Sequence, residues 1–182
     1  ILNGPAARVY GSGAFTGAVN IVVKPDYEKF IRAIISAGDF GYKKIDLTAS
    51  IPLSKLNNLI SIGHSDASGY ADNTDFSIQQ LYYSGLYHAQ QASVNIQAGY
   101  KQKAFGANGF YSAKFPEQYE ESNSSLTSIN IKTYGKVSLN TSAYWRRYYD
   151  HFLLQRDNPA FYQNYHINCQ NDTISHYVIF RH

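Results

Sequence analysis

The sequence predicts an all-β fold, an antiparallel sheet whose two faces differ in polarity. Three observations carry that expectation. From about Ile31 onward apolar and polar residues alternate in runs of roughly ten, the period of a strand with two unlike faces. Short connections between these runs alternate with long ones. Aromatic content is high and skewed, with 17 Tyr and 10 Phe beside one Trp and one Cys in 182 residues. No apolar run approaches the roughly 18 residues of a membrane-spanning helix, which excludes a helical membrane protein.

Taken in order, strands are expected at 31–38, 41–52, 56–65, 76–88, 91–104, 125–134, 136–148 and 173–181. In the second, Ile45, Leu47, Ala49 and Ile51 oppose Asp46, Thr48 and Ser50. The fifth, "ASVNIQAGYK", is the clearest: Ala92, Val94, Ile96, Ala98 and Tyr100 share one face, with Ser93, Asn95, Gln97, Gly99 and Lys101 on the other. In the seventh, Val137, Leu139, Ala143 and Trp145 oppose Ser138, Asn140, Ser142 and Arg146. The connections "PLSK", "AQQ" and "YG" are short, whereas "SDASGYADNTD", "FGANGFYSAKFPEQYEESNSS" and "YDHFLLQRDNPAFYQNYHINCQND" are long. After the first hairpin the two kinds alternate strictly, so the long loops all emerge on one side.

That asymmetry is expected of an outer-membrane barrel, with short turns on one side, long loops on the other, an apolar outer band and a polar lumen. Tyr and Phe near strand ends, as in "QLYYSGLYH" and "AYWRRYYDHF", then fall at headgroup depth. A soluble β-sandwich shares the alternation. Loop asymmetry and strand length favour the membrane barrel.

Motifs for other chemistry are incomplete. The net charge of +3 is scattered and implies no nucleic-acid partner. "RVYGSGAFTGAVNIVVK" has Gly11 and Gly13 but Thr16 where a dinucleotide fingerprint needs its third Gly, and an apolar strand follows instead of a helix. His166 and Cys169 are spaced like a ligand pair, with His151 and His176 in reach, but a zinc site needs a second pair. Asp66, Asp72 and Asp75 lack EF-hand spacing, and Glu117, Glu120 and Glu121 read as a solvated loop. No nucleophile, base and acid set stands on the strand ends. Neither enzyme activity, a metal nor a cofactor is expected. The absence of Met, including at position 1, and of a secretory signal points to a processed product or a piece of a longer chain.

The opening segment resembles the TonB-dependent outer-membrane receptors of Gram-negative bacteria. "LNGPAARVYGSGAFTGAVNIVVK" is similar to the closing segment of their plug domain, with Gly4, Pro5, Tyr10, Gly11, Gly17, Val19, Asn20 and Ile21 matching its ordered pattern. Asn3 stands where the family usually has Arg, so a plug-to-wall ion pair would need another residue such as Arg8. "SGYADNTDF" and "FGANGFYSAKFPEQYEE" resemble loops of cobalamin-receptor-like members of Bacteroidetes type. The resemblance runs to about Tyr165, and "INCQNDTISHYVIFRH" fits it less well.

The resemblance implies residues 1–25 as the end of a plug and 26–182 as the first part, about eight strands, of a barrel of probable 22 strands. It implies import of a scarce, large ligand, a corrinoid first and a ferric siderophore or haem next, with TonB and outer-membrane lipid as partners. Tyr70, Asn73, Phe110, Tyr111 and Tyr119 are then candidates to face the ligand, since Tyr offers rigid apolar area and a hydroxyl. A small complete eight-stranded barrel with a structural or adhesive role is the alternative, and it would pair its first and last strands. A passive porin would share the wall but not the opening segment.

Overall fold

The computed structural model describes residues 2–3, 17–18, 28–135, 138–159 and 169–181. Two short strands, β1 (Leu2–Asn3) and β2 (Gly17–Ala18), pair with each other. The rest form one antiparallel sheet of eight strands: β3 (Phe30–Ala37), β4 (Lys43–Leu53), β5 (Leu56–Ala67), β6 (Phe76–His88), β7 (Ala92–Gly106), β8 (Tyr119–Thr133), β9 (Asn140–Leu153) and β10 (Cys169–Arg181). Each strand pairs with its neighbours in sequence, so the sheet is a meander with β3 and β10 at opposite ends. The segment that fits the resemblance poorly thus supplies a strand that pairs with β9 from Cys169 to Arg181.

Register fixes the faces, because residues directly opposite in a ladder point the same way. One row runs Leu47, Ile62, Leu81, Tyr100, and a parallel row runs Ile51, Asn58, Gly85, Ile96, Ile129, Ala143. This outer face is apolar and open, with Ile31 at 76% and Ile35 at 78% exposure. The opposite, inner face carries Asp46, Thr48, Gln80, Ser84, Asn95, Gln97, Ser128 and Asn130. Several of its polar residues are covered, Ser50 at 1%, Ser122 at 5% and Glu120 at 7%. Side chains crowd in this way on the concave side of a curved sheet.

The distribution inverts that of a water-soluble domain. Among the described residues the buried apolar ones, Ala107 and Leu154, belong to connections and not to a strand face. A continuous apolar field on the convex side has no counterpart to pack against, and monomers in water rarely expose one. Hydrocarbon is the solvent it suits. From the Leu53 row to the Leu47 row the rise is six residues, about 20 Å at roughly 3.4 Å each, comparable to the band of about 25 Å in membrane barrels.

Connections 54–55 and 89–91 and the turn after β8 lie at one end, and 38–42, 68–75, 107–118 and the stretch after β9 at the other. In the first hairpin Tyr42 N–H donates to Asp39 O at 3.1 Å, and Phe40 and Gly41 both have positive φ, 57° and 72°. That is a type I′ turn, whose twist matches its strands. Phe40 is a costly residue for it, and its ring packs edge-on to Tyr70 at 6.4 Å.

The boundaries differ from the sequence expectation by more than two residues at three strands. β8 begins at Tyr119, so the last third of the expected long loop "FGANGFYSAKFPEQYEESNSS" is strand. Here the outward residues Glu121 and Asn123 stand beyond the row of Leu47 and Tyr100, and Ser125 is polar within it, so the alternation vanishes although the ladder continues. β9 begins at Asn140 rather than 136; just before it, Leu139 N–H donates to Thr133 Oγ1 at 3.0 Å and Thr133 N–H to Leu139 O at 2.9 Å. β10 begins at Cys169 rather than 173.

An outward charge is therefore expected to be costly. In the full-length protein refolded into lipid vesicles, Ile62→Arg should lower unfolding free energy by about 2–4 kcal/mol, whereas Gln80→Glu on the inner face should change it little. Equal costs in denaturant titrations would contradict the assignment of faces.

Candidate functional site

Two places on the sheet gather functional groups: the rim formed by the long connections, and the hollow of the inner face. At the rim, β5 and β6 bracket the segment 68–75, and β7 and β8 bracket 107–118. Arg156, just after β9, reaches Asp75 with both guanidinium nitrogens, at 2.6 and 3.0 Å. Its backbone N–H donates to Glu117 O at 2.8 Å, and its guanidinium lies 4.6 Å from the Tyr119 ring centroid. One residue thus joins all three connections.

Asn73 is the second tie. Its amide Nδ2 donates to Pro116 O at 2.8 Å and Gln118 O at 2.6 Å, while Oδ1 accepts from Arg156 at 3.3 Å. Its backbone has φ of 54°, a left-handed conformation that Asn tolerates better than most residues. Asn108 N–H donates to Asn73 O at 3.1 Å and its side chain to Asp72 O at 2.8 Å. Approach is so close that a Cβ on Gly106 would stand 2.5 Å from Asn73 O, hence the glycine. Bidentate, charge-assisted geometry makes the Asp75–Arg156 pair more directional than an ordinary surface ion pair. The Arg156 hydrogen bonds, ahead of the opposing burial, hold the Asp75 carboxyl below its usual value and raise Arg156.

Beside this lock, Tyr111 donates its hydroxyl to Glu120, which also pairs with Lys103 Nζ at 3.1 Å. Burial, followed by the Glu120 carboxylate, pushes the Tyr111 hydroxyl up, so it stays a proton donor. Tyr111 also sits edge-on to Phe110 at 4.8 Å and to Phe152 at 5.6 Å.

The residues singled out in the sequence fall into three groups. Tyr70, Phe110 and Tyr111 are exposed at the rim, whereas Asn73 and Tyr119 contribute to the lock. Gly17 lies in β2, opposite Asn3. Gly4, Pro5, Tyr10, Gly11, Val19, Asn20 and Ile21 lie outside the described residues, as does His166. Of the carboxylates weighed for a cation, Asp66 pairs with His64 at 3.1 Å and Asp75 with Arg156. Sequence reasoning missed Arg156 altogether, since its partner stands 81 residues away and neither lies in a periodic stretch.

The inner face holds a concave groove of about 770 Å³ that reaches from Ser61 on β5 to Arg146 on β9. An inside-out antiparallel meander with a polar hollow, and with long connections tied together at one end, is a portion of a transmembrane β-barrel wall. No protein-family model matches the chain. Over 79 residues it is 35% identical to the metal-pseudopaline receptor CntO of Pseudomonas aeruginosa, in the proteins of two strains. That stretch is 41% of this chain and 11% of the receptor, so only a small share of the relative's length is represented. The similarity supports a relationship to a receptor, not an enzyme. It lends nothing to the expected closeness to cobalamin receptors of Bacteroidetes type.

The lock has a pH signature. Because the folded-state value of Asp75 is depressed, its contribution is complete above the ordinary aspartate value of 3.8 and is lost as pH falls through the lower folded value. Amide hydrogen exchange at Ala107, Asn108 and Arg156 in the full-length protein should stay slow from neutral pH to below that value. Arg156→Ala should speed it several-fold at neutral pH, and Arg156→Lys should restore only part, as an ammonium makes no bidentate pair. Unchanged exchange in Arg156→Ala would show that the connections are held by other means.

Proposed function

We propose that the chain is a wall segment of a TonB-dependent outer-membrane receptor that imports a large metal chelate. Residues 1–25 are its last piece of plug and residues 26–182 the first part of a barrel of about 22 strands. The observation that carries this reading is the similarity to a metal-pseudopaline receptor in a chain whose sheet is apolar outside and polar inside. The small closed eight-stranded barrel is not favoured, because its first and last strands would pair, and β3 and β10 instead stand at opposite ends of the sheet.

In this reading TonB acts through plug sequence beyond the chain, and the rim of long connections faces outward. Tyr70, Phe110 and Tyr111 supply exposed aromatic surface for the ligand, while Asn73 and Tyr119 keep the rim in shape. A preorganised rim loses less conformational freedom on binding than free loops would. Two ligand classes have a specific basis: a corrinoid, from the resemblance of the loops, and a metal–metallophore complex, from the name of the relatives. Both are chelated metals.

Deleting the parent gene should abolish uptake of one labelled metal chelate, and so should deleting tonB in the same strain. Cobalamin, metal-pseudopaline, a ferric siderophore and haem, assayed separately, identify which. Undiminished uptake of all four in the gene deletion would refute the import reading, and uptake that survives loss of tonB would refute the energised mechanism.

A further inference from the structure

Charge is unevenly satisfied on the inner face. Its carboxylates on β3 to β9 are Asp46, Glu120 and Asp150. Asp46 pairs with Lys44 at 2.9 Å and Glu120 with Lys103 at 3.1 Å. Asp150 stands in the Lys103 row, since Ser122 is opposite both residues. The other inner-face cations of these strands are Arg32, Lys101, Lys132 and Arg146, of which Lys101 and Arg146 line one groove. Among the described residues neither of these two forms an ion pair with a carboxylate, and both are exposed. Arg146 lies against the Tyr148 ring, 6.0 Å from its centroid.

The register puts the pair in adjacent rows, one reading Gln80, Lys101, Ser124, Tyr148 and the next Tyr82, Gly99, Leu126, Arg146. Two strand spacings across and two residues along give a Cα separation of about 12 Å. Ser124 and Leu126 of β8 stand between them, and the wall beside Lys101 is hollow because Gly99 has no side chain. A Cβ there would meet nothing nearer than 3.8 Å, so the glycine opens space and avoids no clash. The resulting groove, about 770 Å³, is lined by both cations with Gln80, Tyr82, Ser124 and Tyr144. Its size is that of a small-molecule site, in the range of roughly 300–1,000 Å³.

We propose that this groove is an anion-binding site on the lumen wall, in which Lys101 and Arg146 hold a solute bearing two or more carboxylates. Two long cationic side chains about 12 Å apart at their Cα atoms can grip separate carboxylates of one molecule. Arg gives a bidentate fork and Lys a point charge, and the hydroxyl and amide groups between them accept and donate hydrogen bonds. An anionic solute suits the groove better than the chain's own first 27 residues, whose charged groups are Arg8, Lys24 and Asp26 and so are net positive. The site rests on the receptor reading and narrows its ligand to a polycarboxylate, such as a carboxylate-ligated metal chelate.

Citrate is the probe, titrated calorimetrically into the full-length receptor in detergent at low salt. Wild type should bind it. The double variant Lys101→Gln/Arg146→Gln should bind at least ten-fold more weakly, Lys101→Arg should keep binding, and Lys132→Gln, an equal charge change elsewhere on the inner face, should stay within two-fold. Each variant is first checked for the heat-dependent gel shift of a folded barrel. No citrate binding to wild type, or equal binding by wild type and the double variant, would overturn the proposal. So would unchanged citrate binding with greater protease sensitivity of the plug, since the cations would then dock an acidic plug segment. Citrate binding is read without TonB or uptake, so its failure and that of the import reading are distinguishable.

Discussion

Backbone hydrogen bonding is the constraint on which everything else in this chain depends. A segment that crosses hydrocarbon leaves no water for an unpaired N–H or C=O, and each orphan costs several kcal/mol. The ladders from β3 to β10 meet this requirement strand by strand, without a helix and without an apolar core. Once the backbone is paired, side chains sort mainly by solvent: most Ile residues of the belt point outward, and most Ser, Asn and Gln residues inward. Each end strand has one open side within the described sheet. In the proposed receptor these are the seams where further strands of the wall attach.

The rim obeys different rules, because water is available there. Loops over a membrane wall need not pack, yet three of these connections are fastened by one arginine, one asparagine and a glycine with no room for a methyl group. The Asp75–Arg156 pair alone is worth little at such exposure. Its effect comes from sharing partners, since Asn73 bonds to Arg156 and to the backbone on both sides of Glu117. Removing either side chain frees several contacts together, which links the shape of the rim to a few residues.

Much of the architecture was legible in the sequence wherever an apolar belt imposed a period of two. All eight strands of the sheet were foreseen, and the faces of β4 and β7 followed residue by residue. So did Ala143 and Trp145 against Asn140, Ser142 and Arg146 in β9, whereas Ser138 and Leu139 precede that strand and Val137 lies outside the described residues. The first part of β8 was not legible, because its outward residues Glu121 and Asn123 stand on a strand that extends past the belt. The lock was hidden for another reason. It joins residues 81 positions apart through side chains in irregular segments, and a single sequence holds no record of such pairing. The groove was half visible: Gly99 and Lys101 stood on the polar face of "ASVNIQAGYK", but their closeness to Arg146 needed the register of β8. Ligand class was the least legible feature, since the plug-like motif marks the family's shared machinery and says nothing of cargo.

The inside-out wall is tested most directly by a nitroxide scan of β7. Single cysteines at positions 93 to 101 of the full-length protein, with Cys169 replaced by Ser, are spin-labelled in lipid vesicles and relaxed by oxygen or by a water-soluble nickel complex. Oxygen should dominate at 94, 96, 98 and 100, and the nickel complex at 93, 95, 97, 99 and 101, except where a plug covers the wall and excludes both. Access of the nickel complex to 94, 96 and 98 as great as to their neighbours would contradict a lipid-facing outer surface, and with it the whole account.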